Sequence, residues 1–92
     1  MTVVARAEAK EASLWFRSRD PSTVRRFRER LKSAKEQLAS FPESGERHLR
    51  NTRRLSLAPF PYWLIYEIEV MRVVIIAIPH VAQEEGHWAS RD

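Results

Sequence analysis

The 92-residue chain has no cysteine. That excludes a disulfide framework and a thiolate metal site, and leaves the redox compartment unreadable from sulfur chemistry. Length is short as well: a chain of this size buries only roughly 60–65% of the surface its unfolded form exposes, so without a partner its stability should be modest. The N-terminal MTVVARAEAKE lacks the apolar core of a secretory signal. The longest apolar run, Val73 to Pro79, is far below the ~20 residues that cross a bilayer. Internal repeats, low-complexity tracts and composition breaks are absent. The expectation is one domain over residues 1–92, in the cytoplasm and away from membranes, with no cofactor and no metal.

What is present is positive charge and a concentrated β-forming segment. Sixteen Lys and Arg against twelve Asp and Glu leave a formal charge of +4, a balance that favours an acidic polypeptide or nucleic acid as partner. The segment Arg53 to His80 organises the chain. From Phe60 to Ile68 one parity reads Phe60, Tyr62, Leu64, Tyr66, Ile68 and the other reads Pro61, Trp63, Ile65, Glu67, the period-two pattern of a strand with one face in a core. Val73 to Ile78 is apolar throughout, which suits a central or doubly packed strand. Arg53 to Leu57 forms the first long strand, and Ala58-Pro59-Phe60-Pro61 a turn, because neither proline can donate to a ladder.

Two helices precede this sheet. Ala5, Ala9, Ala12, Trp15 and Phe16 recur at helical spacing and predict a helix ending near Arg19. Asp20-Pro21 then starts another, with aspartate capping and proline at the first helical position. In it Val24, Phe27, Leu31, Ala34, Leu38 and Phe41 form a continuous apolar stripe, and the intervening Arg, Lys and Glu form a face that meets water. Thr2-Val3-Val4-Ala5 is β-branched enough for a brief edge strand. The tail after Pro79 is polar, with Trp88 its one large apolar residue, and is expected to be partly helical. The predicted architecture is α+β: an N-terminal helix hairpin packed on a small twisted antiparallel sheet, in the order β-α-α-β-β-β.

That order, together with Trp15-Phe16, Phe41-Pro42, Arg53-Arg54-Leu55, Phe60-Pro61-Tyr62, Ile65-Tyr66, His80 and a terminal Trp88 and Arg91, resembles the RelE/ParE superfamily of toxins from bacterial type II toxin-antitoxin pairs. The resemblance covers nearly the whole chain. RelE-like members cut mRNA on the ribosome, and commonly carry an arginine between the strand aromatics, where this chain has Trp63. ParE-like members often show a histidine followed by two arginines, where this chain has His80-Val81-Ala82-Gln83. Phosphodiester cleavage needs charge stabilisation, and losing one donor commonly costs about 10²- to 10³-fold in rate. The resemblance therefore implies the ParE-like branch, whose members inhibit DNA gyrase by protein contact. Two alternatives stay open: a RelE-type ribonuclease using Arg53, Arg54, His80 and Arg91, and a homologue that binds antitoxin without toxicity.

The candidate partner-binding residues are Arg47, Arg50, Arg53, Arg54, Trp63, Ile65, Trp88 and Arg91. The arginines form the densest basic cluster outside the second helix and suit phosphates or an acidic surface. Against this stands a solvated sheet edge that keeps strands from pairing with neighbours. His80 could act as acid or base, but a histidine hydrogen-bonded at a strand end is the plainer reading. Two helices cover one sheet face, and only the thirteen-residue tail is available for the other. Trp63 and Ile65 are thus expected to leave an apolar patch too large for a lone soluble chain. The resemblance supplies a cover: a cognate antitoxin with an acidic, amphipathic segment, laid on as helix or added strand in a hetero-oligomer.

Overall fold

The computed structural model describes residues 1–83, so expectations about the tail, Trp88 and Arg91 included, lie outside the described residues. Helix α1 (Val3–Arg19) and helix α2 (Pro21–Ser40) form an antiparallel hairpin. Strands β1 (Glu46–Arg47), β2 (Arg53–Ser56), β3 (Trp63–Ile68) and β4 (Val73–Ala77) follow, and pair antiparallel in the order β1-β2-β3-β4. The α+β expectation holds.

A single residue separates the helices. Asp20 donates its backbone N–H to Phe16 O (2.8 Å), ending α1, while its Oδ1 accepts from the Ser22 N–H (3.1 Å) and hydroxyl (2.8 Å), starting α2. Hydrogen bonds from Ser22 hold the Asp20 carboxyl below its ordinary pKa. A folded-state pKa that is depressed contributes stability present above the unfolded value and lost as pH falls through the folded one. Asp20→Ala should therefore lower the thermal midpoint at neutral pH, and the gap to wild type should close below pH 4 in a pH-resolved melting series. A gap that persists there would mean the carboxylate is not the cap's active form.

No strand forms at Thr2–Ala5. Thr2 Oγ1 accepts from the Ala5 N–H (3.1 Å) as the N-cap of α1. The capping oxygen and the alanine-rich sequence after it outweigh two valines. The edge-joining idea survives in one residue: Thr2 donates its N–H to Ile75 O (2.9 Å) and its hydroxyl to Ile76 O (2.7 Å). Glu8 Oε1 accepts from the Ile78 N–H (2.9 Å). This explains why β4 is apolar throughout without being central. It is an edge strand, and the start of α1 satisfies the groups an edge leaves open.

The main core lies between hairpin and sheet. Val24, Phe27, Leu31, Ala34 and Leu38 of α2 are buried, with Ala5, Ala12 and Phe16 of α1, against Leu57, Leu64, Tyr66, Ile75 and Ile78. Phe16, Phe27 and Phe60 meet with centroids 5.3–5.4 Å apart, the Phe60 contacts edge-to-face. Two stripe members depart from expectation. Phe41 follows the last turn of α2, where its N–H donates to Gln37 O (2.7 Å), and the residue is 68% exposed. Trp15 is half-exposed, with the Arg19 guanidinium 3.8 Å over its ring.

Candidate partner-binding surfaces

Pairing register decides which side chains meet on the sheet. Glu46, Arg54, Ile65 and Ala77 fall in one row across the four strands, on the face turned away from the main core. A bulge between Ile65 and Tyr66 in the β3–β4 ladder leaves Ile76 without a partner. Ile76 and Ala77 then both serve the outer face, and Ile78 returns to the helices. On this face the Arg54 guanidinium sits 4.3 Å over the Trp63 ring and pairs with the Glu46 carboxylate. Ile65 is 1% exposed and packs with Ala77, Trp63, Ile76 and Val4. The expected open patch at Trp63 and Ile65 is therefore corrected. Ile65 is interior, because the bulge and the first turn of α1 bring apolar neighbours around the edge of β4.

The four clustered arginines do not form one surface. Arg53, adjacent to Arg54 on β2, points to the opposite face, where its Nη1 donates to Gly45 O (2.8 Å) and Glu43 O (3.2 Å) and closes the loop after α2. Arg47 lies opposite Arg53 in the register, and the two line a polar cleft of about 330 Å3 with His48, Asn51 and Thr52. Arg50 stands in the tight turn between β1 and β2, at φ 54°, followed by Asn51 at φ 66°. Thr52 N–H closes that turn on Leu49 O (3.0 Å). Two consecutive positive φ values belong to mirror-image turns, which Asn tolerates and Arg does not. Arg50→Gly should raise unfolding stability by about 0.5–1 kcal/mol, read from urea denaturation. A loss would show that the arginine's contacts outweigh its backbone strain.

His80 bridges to Tyr62 beyond the end of β4. Its Nδ1 accepts from the Ala82 N–H (3.0 Å), its backbone N–H donates to Gln83 Oε1 (2.8 Å), and its ring meets Tyr62 edge-on at 5.2 Å. Burial first, and the Glu11 charge second, push the Tyr62 phenol up, so it stays neutral. These groups border a cleft of about 300 Å3 with Glu8, Glu11 and Trp15. The set proposed for ribonuclease chemistry is not assembled among the described residues. Arg53 and Arg54 face opposite ways, Arg53 is spent on carbonyls, and one imidazole nitrogen of His80 is spent on the backbone. Among the described residues no group of three or more His, Asp or Glu could hold a metal ion.

The open apolar surface lies elsewhere. A groove of about 730 Å3 runs between the C-terminal half of α2 and the β3–β4 hairpin, lined by Leu38, Ala39, Pro42, Ile68, Met71 and Val73. At its rim Val70 is 98% and Met71 90% exposed. They are the two central residues of the hairpin loop, which Glu69 and Arg72 close by backbone hydrogen bonds (2.8 and 3.4 Å) and an ion pair (2.9 Å). The signal was in the sequence: a two-residue hairpin loop normally takes Gly, Asn or Asp, and Val-Met there has no local reason.

A helix hairpin on a four-stranded antiparallel sheet, with an apolar groove between α2 and the β3–β4 hairpin, defines a small α+β protein. The chain belongs to the ParE toxin family of type II toxin-antitoxin systems, parDE, whose family model matches residues 1–85. No curated protein matches the chain. Among the described residues, no helix is long and apolar enough to cross a membrane.

Proposed function

We propose that this toxin inhibits DNA gyrase by protein contact, and that a cognate antitoxin silences it by laying the apolar edge of an acidic, amphipathic segment into the groove between α2 and the β3–β4 hairpin. The observation that carries the reading is the pairing of that open groove, with Val70 and Met71 at its rim, with dispersed catalytic candidates. An inhibitor needs surface, not a charge-stabilising centre. Lys35 borders the groove and complements an acidic segment, while Arg72 at the same rim is already ion-paired with Glu69. The outer row of Arg54 and Trp63 stays a second contact for the same partner, with Trp88 and Arg91 outside the described residues.

The test is induction without the antitoxin, paired with a supercoiling assay on purified gyrase. Gyrase inhibition predicts a DNA-damage response, double-strand breaks and lost supercoiling activity that added antitoxin restores. Arrested translation with cleaved transcripts and intact chromosomes would replace this reading with the ribonuclease. No growth defect, with antitoxin still bound, would leave a binding homologue without toxicity.

A further inference from the structure

Four cations surround a shallow groove on the helix hairpin, none of whose lining residues belongs to the surfaces described above. Arg25, Arg28 and Lys32 follow one another along α2 at helical spacing, and Arg17 joins them from the last turn of α1. The groove they border measures about 400 Å3 and contains a single acid, Glu29. Spacing would allow Arg25 and Lys32 to pair with Glu29 along the helix. Among the described residues none of the four cations makes an ion pair or hydrogen bond with it or with any other group. Arg26 and Arg30, by contrast, are bonded to Thr23 and to the carbonyls of Ser56 and Ala58. The net +3 at this groove approaches the +4 of the whole chain.

We propose that this groove binds the phosphate backbone of a nucleic-acid duplex without reading its sequence. Three cations fall within about 10 Å of helix at 1.5 Å per residue, with axial gaps of about 4.5 and 6 Å that long side chains can adjust to the ~3.4 Å spacing of charges along one strand of a duplex. The lining decides between a duplex and an acidic protein. Its apolar members are Pro21 and the buried Val24, so the groove lacks the aromatic and aliphatic centre on which protein interfaces depend. It also lacks a ring on which an unpaired base could stack. What remains is long, exposed, unpaired guanidinium and ammonium groups, the chemistry of backbone contact. This inference does not rest on the gyrase reading and survives or fails without it.

The experiment is fluorescence anisotropy of the full chain with a short labelled duplex of arbitrary sequence, as DNA and as RNA, over a salt series. Each cation–phosphate contact contributes about 0.9 to the slope of log K against log salt, so four predict a slope of about −3 to −4. The variant R17Q/R25Q/R28Q/K32Q should lose most of the binding and flatten the slope, with an unchanged melting temperature as its folding control. R28Q alone, a milder change, should reduce the slope by about 1. Glu29→Gln should tighten binding several-fold, an effect that a merely structural role of this face would not produce. The DNA and RNA arms identify the source of the backbone, and binding to either supports the proposal. It is overturned if neither duplex binds at low salt, if the quadruple variant binds as wild type does, or if polyglutamate binds with the same slope while both duplexes fail.

Discussion

Gly45→Ala is expected to cost about 3–5 kcal/mol, enough to leave so small a domain largely unfolded at 37 °C. Gly45 is buried, and a Cβ there would lie 2.6 Å from the Tyr66 hydroxyl, 2.8 Å from Arg54 O and 2.8 Å from Tyr66 Cε1. Neither obstacle can yield. Arg54 O belongs to the β2 backbone, and Tyr66 is fully buried at the centre of β3. The same hydroxyl accepts the Gly45 N–H (2.9 Å) and donates to Pro42 O (2.6 Å), so moving the ring aside breaks both bonds in a buried place. The loop from Pro42 to Gly45, which turns the chain from α2 into the sheet, is thus tied to β3 through one side chain. Urea denaturation reads the loss, and Tyr66→Phe separates the terms. It keeps the packing and deletes the hydroxyl, and should cost about 1–3 kcal/mol. A Gly45→Ala loss below 1 kcal/mol would mean the loop slides off Tyr66 freely.

Much of this architecture was legible because its signals are local. The α2 stripe from Val24 to Leu38 is a pure 3.6-residue repeat, and Asp20-Pro21 is a stop and a start in two residues; both predicted elements match. The parity of β3 likewise separated Leu64 and Tyr66 from Trp63 and Ile65. What failed depended on partners distant in sequence. Val73 to Ile78 reads as central or doubly packed; it is packed on both faces but is an edge strand, because nothing in it reveals that Thr2 and Glu8 cap its edge. Arg53 and Arg54 read as one cluster, since only the pairing register shows one gripping a loop and the other lying on Trp63. Ile65 read as exposed because a bulge at Ile76 leaves no mark on composition. The groove carries a different kind of signal: Val70-Met71 interrupts two apolar runs, and only its misfit to a hairpin loop points to an apolar rim there.

That misfit leads to the largest functional effect. Replacing Val70 and Met71 together by Asp should weaken antitoxin binding by at least about 100-fold while leaving folding intact. Both side chains are almost fully exposed in the toxin alone, so their loss should change stability by no more than about 0.5 kcal/mol. In a complex that buries them, each is worth about 1.5–3 kcal/mol, and the sum exceeds the ~2.8 kcal/mol that corresponds to two orders of magnitude. Calorimetric titration with the antitoxin measures this, and failure of the antitoxin to rescue growth reports it in cells. Replacement by Lys tells which force acts. If apolar burial dominates, Asp and Lys lose affinity alike; if an acidic segment is repelled by the new charges, the Lys pair binds nearly as wild type does. Arg54→Glu supplies the comparison on the outer face, where the guanidinium is already committed to Trp63 and Glu46, and should cost less than the hairpin pair. An affinity unchanged within threefold for the Asp pair, alongside a large loss for Arg54→Glu, would move the antitoxin from the hairpin groove to the outer face of the sheet.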